Sequence, residues 1–581
     1  MMSFAFNAVC RTVGAFFTFY FAVVVLRPSP AAAQAAFSPD AAARESVRNR
    51  EAQRALRAQW EAVPGVHEAT PLEDRTRLPV NEVPCFPIRT LALAGEGASE
   101  FQWALGAANP ADDLVTGRCV GAEGIEAVVR RTQNAIVARG YVTTRVLVAR
   151  QSLAGGTLTL TLVPGRVGDI RFEEGTSARA GAWNALPVRR GDVLNLRDLE
   201  QGLENFRQVP KVDVDIAIAS PDGAHAAPGE SDLVIRWRQG LPVRLNVGVN
   251  DAGSRYTGKY QGYVTFAHDN GFTLNDLFYV NLGHDLGGGE RGDKGARSHT
   301  FHYSLPFGYW RLGATIGGYT YHQSVPMRYG PPIRYAGDSQ NAELRLSRVL
   351  YRDAVRRLGV YVAGWTRASK NYFANRELLM QRRRMAGWEA GLVHREFIAG
   401  ATVAMSLAYR RGTGAFGALP APEAAFGGGT ARPSIVLGDA QLHIPFAVGG
   451  ARMRYLAAWR GQWNRTPLIS QDRFSIGGRY TVRGFDGEQT LLGERGWFLR
   501  NDMGIQLGRT GQELYAGIDY GQVAGRSTRA LPGTSIAGAV IGLRGAYRGF
   551  HWDVFTGRPL HQPPGFRAAS TVAGFNVGWS S

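Results

Sequence analysis

The chain has 581 residues, 73 of them glycine, and carries 66 Lys and Arg against 48 Asp and Glu, for a formal net charge of +18. That length predicts several domains, and glycine without a strict period of three excludes a collagen-like chain. The basic excess would suit nucleic acid or an acidic surface, but the arginines alternate with apolar residues inside strand-like runs and no nucleic-acid module is recognisable, so a basic pore lining or solvated face is predicted, with no nucleic acid as partner.

The first segment reads as an export signal over residues 1–35. Arg11 precedes an apolar run from Thr12 to Leu26, and small residues follow from Ala31 to Ala36. A charged start, a short apolar middle and an A-x-A-like site predict cleavage between Ala33 and Ala36. The apolar run is too short for a comfortable membrane span. Cys10 lies inside that signal, leaving Cys85 and Cys119. In an exported chain these two are expected to pair, with two free buried thiols as the alternative.

Ser38-Pro39-Asp40 is a helix start, with serine as N-cap and proline at the first helical position. A helix over 38–60 follows, rich in Ala, Arg, Glu and Gln. Its apolar stripe is thin (Val47, Leu56, Trp60). It suits neither lipid nor a core and needs a polar, partly enclosed home. Residues 61–84 form a proline-rich, extended linker.

Residues 85–163 predict a small α+β domain. Phe86 to Leu93 reads as a strand and Phe101 to Leu105 as a short helix. Ile125, Val128, Val129 and Ile136 recur at helical spacing, with Gly140 as the stop. Tyr141 to Val148 is β-rich, and Thr157 to Leu162 alternates strictly. A second module of like build covers 164–240. Its helix carries Leu196, Leu199, Leu203 and Phe206, and strands follow at 212–216 and 233–235.

After Leu241 the pattern changes for good. Leu241, Val243, Leu245, Val247 and Val249 alternate with polar residues or glycine, as do Phe278, Val280 and Leu282, and Phe575, Val577 and Trp579. In water such alternation suits a sandwich; in lipid it suits a barrel with a wet lumen. A stretch of roughly 340 residues without a convincing helix, the export signal, and aromatic pairs near strand ends such as Tyr309-Trp310 and Trp497-Phe498 favour the barrel. About sixteen antiparallel strands are expected over 241–581.

One segment, 471–497, breaks the rhythm, with Gly477-Gly478-Arg479-Tyr480-Thr481-Val482-Arg483-Gly484-Phe485 at its centre. At this point the chain resembles the two-partner secretion transporters, the FhaC-like and haemolysin-activator family. Their signature is a Val-Arg-Gly-Tyr/Phe tip on a long loop that folds back into the barrel. Here that tip is Val482, Arg483, Gly484 and Phe485. A second motif of the family, Gly-x-Asp-x-Gly on a late strand, matches Gly517, Asp519 and Gly521. The resemblance implies a plug helix, a linker, two POTRA domains and a sixteen-stranded outer-membrane β-barrel. It departs from the pattern at Ser581, which occupies a phase usually held by an aromatic residue; Trp579 is the last aromatic.

The loop and strand motifs also make physical sense as a pair. Strand alternation places Ala516, Ile518 and Tyr520 toward lipid and Gly517, Asp519 and Gly521 toward the lumen. An aspartate inside a barrel wall and an arginine on an entering loop each need a partner. Arg483 with Asp519 would satisfy both through a charge-assisted contact; a solvated surface loop bearing Arg483, with Asp519 lining water, is the competing reading, and the resemblance implies the pair.

Other signals carry no chemistry. Gly287 to Gly292 satisfies G-x-G-x-x-G, but a strand follows where a dinucleotide site needs a helix. No H-E-x-x-H, G-x-S-x-G or P-loop is present. No enzyme, cofactor or metal is expected. The resemblance implies transport of a large exoprotein with an N-terminal secretion domain: an adhesin, a haemolysin or a contact-dependent inhibition toxin. The POTRA domains would capture the client by β-augmentation. The predicted surface comprises helix Ile125–Ala138 with Ile125 and Val128, the neighbouring strand with Tyr141, and the second-module helix with Leu199. Ordinary core packing is the competing reading of those apolar residues. Lipid, periplasmic chaperones and the barrel-assembly machinery complete the expected partners. An assembly factor or insertase is the alternative function.

Overall fold

The computed structural model describes residues 40–61, 77–221, 229–327 and 329–581. The predicted signal, the Ser38-Pro39 cap and residues 62–76 of the linker lie outside the described residues. Helix α1 (Asp40–Trp60) has 21 residues, a length of roughly 30 Å, close to a bilayer's apolar thickness. No helix among the described residues is long and apolar enough to cross a membrane.

In the first module, strands β1 (Thr90–Gly95), β2 (Arg145–Leu147) and β3 (Thr157–Val163) form a sheet in the order β1-β3-β2. β1 runs parallel to β3 and β2 antiparallel to it. The strict alternation of β3 turns Leu158, Leu160 and Leu162 inward onto helix α2 (Ala122–Ala138), where Val128 and Ile136 meet them. The strand expected over 86–93 is two pieces. Phe86–Pro87 pairs with Cys119–Val120, and the run resumes at Thr90. The strand expected from Tyr141 begins only at Arg145, because the turn closing α2 holds Tyr141, whose N–H bonds back to the Ile136 carbonyl at 3.3 Å. Cys85 and Cys119 are joined, with Cα atoms 5.3 Å apart.

The second module repeats the layout with β4 (Arg166–Phe172), helix α3 (Leu196–Arg207), β5 (Val212–Ala219) and β6 (Glu230–Gln239), in sheet order β4-β6-β5. Asn195 caps α3, its side chain accepting the Arg197 N–H at 2.9 Å. Leu199, Leu203, Phe206, Leu233, Ile235 and Trp237 fill the core.

The remaining chain closes into a barrel. Sixteen long strands run from Val243–Asn250 to Val572–Ser580, each antiparallel to its neighbours. The last strand pairs back onto the first, from Asn576↔Asn250 to Ser580↔Asn246. Closure satisfies the backbone groups that lipid cannot hydrogen-bond. The period-2 pattern sets the two surfaces: along Glu513–Ala524, Tyr515, Gly517 and Asp519 are buried while Leu514, Ile518 and Tyr520 are exposed outward.

The second module sits on the periplasmic rim through α3. Arg352 of the barrel reaches Glu200 at 3.1 Å and Glu204 at 3.0 Å, Arg357 reaches Glu204 at 2.8 Å, and Asn205 donates to the Gly308 carbonyl at 2.7 Å. Tyr309 also donates to Asp198. This corrects the expectation that α3 offers a client surface. Its apolar face is core and its polar face is covered by the barrel.

Candidate functional site: a loop and a helix held in the lumen

The loop between strands Ala451–Asn464 and Arg495–Gln506 turns inward on a short ribbon, Phe474–Ile476 paired with Leu491–Gly493. Phe474, Ile476, Val482 and Phe485 bury themselves against Phe498, Val523 and Ile536 of the wall. Phe485 meets Phe566 edge-on with centroids 5.8 Å apart. This apolar anchor holds the tip against the wall.

Arg483 is then fixed at four points. Its backbone N–H donates to Asp519 Oδ2 at 2.9 Å and its Nε to the same oxygen at 2.7 Å. Nη2 donates to Asp519 Oδ1 at 2.8 Å and to Asp502 Oδ1 at 2.5 Å. The fork of a guanidinium matches a carboxylate in this two-bond geometry, which an ammonium cannot reproduce. Arg483 and Asp519 are 4% and 1% exposed. Arg500 stands 4.0 Å from Asp519 and Arg544 3.7 Å from Asp502, so the two carboxylates sit among three guanidinium groups.

Glycine makes this approach possible. A Cβ on Gly538 would lie 1.9 Å from the Arg483 carbonyl oxygen, and one on Gly517 would lie 2.7 Å from Arg483 Nη2. A Cβ on Gly521 would meet Val482 Cγ2 at 2.8 Å. Gly484 has φ +91°, a conformation side chains disfavour, and its own Cβ would strike the Arg558 carbonyl at 2.5 Å. The loop is stapled further at the barrel's closing strands. Arg479 bridges Asp251 at 2.6 Å and the Phe575 carbonyl at 2.9 Å, while Glu488 accepts the Arg255 N–H at 2.8 Å.

Helix α1 lies in the lumen beside this loop. At its outer end Arg48 donates to the Gly487 carbonyl at 3.0 Å and Tyr319 donates to Glu45 at 2.7 Å. Midway, Arg460 reaches Glu51 at 2.6 Å and Gln53 reaches Asn341 at 3.4 Å. At the periplasmic end Arg57 pairs with Glu343 at 2.9 Å, Tyr279 donates to Glu61 at 3.0 Å, and Trp60 packs on Tyr279. The hold is mostly polar, from side chains that water could solvate as well. Cavities of about 380 and 370 Å³ remain between the helix and the wall.

The other predicted residues lie away from this centre. Val128 and Leu199 are inside the cores of the two modules. Ile125 and Tyr141 are half-buried on the first core, Tyr141 standing edge-on to Phe101. The exposed apolar residues beside them are Leu147 and Val148, at the sheet edge formed by β2. Among the described residues no group of three or more His, Cys, Asp or Glu is arranged to hold a metal ion.

Asp502, Gly538 and the pair Arg500 and Arg544 escaped the sequence reading. Asp502 falls in the lumen phase of its strand, the signal that would have found it. Gly538 needs the three-dimensional register, because it belongs to no local motif.

A closed sixteen-stranded barrel with a re-entrant loop locked to its wall, carried behind two sheet-and-helix periplasmic modules, defines an outer-membrane protein transporter. Comparison with known proteins gives its family. The family described as haemolysin secretion/activation protein ShlB/FhaC/HecB matches residues 229–545, an ShlB-type POTRA domain matches 86–165, and a further POTRA domain matches 166–220. The chain belongs to this family. The outer membrane transporter CdiB-2 of Burkholderia pseudomallei (strain 1026b) is 37% identical, covering 96% of this chain and 98% of its own. The outer membrane transporter CdiB of Dickeya dadantii (strain 3937) is 28% identical over 80% of this chain and 81% of its own. The structure of CdiB from Acinetobacter baumannii superposes with a TM-score of 0.82 at 30% identity, covering 93% of this chain and 98% of that one. The protein is thus a two-partner secretion transporter of the outer membrane, its POTRA domains in the periplasm.

Proposed function

We propose that the barrel exports one large partner exoprotein that bears an N-terminal secretion domain. The chain itself reaches the membrane through periplasmic chaperones and the barrel-assembly machinery. The client arrives unfolded and adds a strand to the exposed β2 edge of the first POTRA domain, where Leu147 and Val148 are free to receive apolar side chains. Helix α1 then withdraws from the lumen as a plug, and the client takes its place. The loop tip stays locked by Arg483 and Asp519 and keeps the conducting wall in shape. The observation that carries this reading is the mostly polar hold on α1, which water in the lumen can replace, beside the apolar anchor and four-point ion pairing that make the loop part of the wall. Co-expression with a candidate exoprotein that bears such a secretion domain tests the proposal. The exoprotein is expected in the medium with this transporter and in the periplasm without it. Equal release in both strains would sink the proposal.

A further inference from the structure

The second POTRA domain does more than rest on the barrel rim. Its segment 179–184 is wedged between two periplasmic turns. Asn184, buried, donates to the Leu274 carbonyl at 2.5 Å and the Pro306 carbonyl at 3.1 Å, and its own carbonyl accepts the Gly308 N–H at 2.8 Å. Asn275 donates to the Gly181 carbonyl at 2.7 Å. This wedge fixes the direction in which the next side chain points. Trp183 is 64% exposed, and its ring stands edge-on to Phe307, centroids 5.9 Å apart.

Phe307 belongs to the outer surface of the barrel. It shares its strand phase with Phe301 and Tyr303, the face opposite His302 and Ser304 of the lumen. Its cross-strand partner is Trp310, whose own partner Arg348 places its guanidinium 4.9 Å from the Trp310 ring. Phe272, on the other turn of the wedge, meets outward-facing Tyr303 edge-on at 5.8 Å. Aromatic rings with an attendant arginine are the composition of an interfacial girdle, where the ring lies at the acyl boundary and the cation at headgroup phosphate. Trp183 continues that girdle from outside the barrel.

We propose that Trp183 is a membrane anchor of the second POTRA domain, seated in the headgroup–acyl boundary of the periplasmic leaflet with phospholipid as its partner. The domain is therefore held by lipid as well as by the rim, which fixes the tilt at which it presents a client to the pore.

Cys85 and Cys119 are bonded to each other, so Trp183→Cys offers the free thiol of the described chain for a nitroxide label. The side chain is mostly solvent-side of its own domain, and the exchange leaves the wedge intact. In phospholipid nanodiscs, relaxation by oxygen should exceed relaxation by a water-soluble nickel chelate. The oxygen-to-nickel ratio should stand at least about threefold above that of a label at Val80→Cys, an exposed site in the linker ahead of the first POTRA domain. A ratio equal to that at position 80 would place Trp183 in water. Exclusion of both reagents would place it inside a protein contact. Either result overturns the proposal. A second reading uses the unlabelled protein in vesicles of dibrominated phosphatidylcholine, where wild type should lose more tryptophan fluorescence than Trp183→Ser. Equal losses count against the anchor.

Discussion

Arg483→Ala lowers release of the partner exoprotein at least about tenfold, while the barrel still folds and reaches the membrane. The reason is the four-point hold. Removing one member of a buried ion pair costs about 3–5 kcal/mol, because the remaining charge stays buried. Here two carboxylates are left behind, Asp519 and Asp502. Arg500 and Arg544, 4.0 and 3.7 Å away, offset part of that cost. A residual of about 3 kcal/mol still shifts the docking of the loop tip about a hundredfold. The ribbon Phe474–Ile476 and its apolar contacts are untouched, so the barrel keeps its strands. Arg483→Lys should fall between the two, since lysine keeps the charge but cannot grip both oxygens of Asp519. Immunoblots of medium and of heat-modifiable barrel read both quantities. Wild-type release by Arg483→Ala would remove the loop tip from the mechanism.

Deleting residues 40–60 raises ion conductance through the pore severalfold in planar bilayers. A helix with its side chains is about 10–12 Å across, a large share of the channel that a sixteen-stranded barrel encloses. The barrel does not depend on it. Its sixteen strands pair with one another, and α1 adds side-chain contacts such as Glu51 with Arg460 but no strand pairing. Unchanged conductance would mean that α1 does not obstruct the lumen.

Much of this architecture was legible in the sequence because period 2 is a strong signal when one face meets lipid. The alternation at Leu245, Val247 and Val249 gave both the strand and its lipid face, and the same rule placed Asp519 in the lumen. Arg483 and Asp519 were legible as a pair only through the family resemblance, because the residues alone fit a solvated loop and a water-lined aspartate equally well. Asp502 shares the lumen phase of its strand, but only the register shows that it stands beside Arg483. The apolar stripe of α3 looked like a groove because a sequence shows which residues are apolar but not what already covers them. Leu199 faces its own sheet, and Glu200 and Glu204 face Arg352 of a barrel more than a hundred residues later. The role of Trp183 was invisible for the same cause, since only the rim turns decide where it points.

A client that passes through the lumen now occupied by α1 is stopped when α1 is tied to the wall. Gln53→Cys and Asn341→Cys, whose side chains meet across the helix–wall contact, can be joined by a short thiol cross-linker in cells that also make the exoprotein. The linked transporter is expected to release none of it, while each single variant given the same reagent releases it normally. Release at the unlinked rate from fully linked protein would show that the client travels by another path.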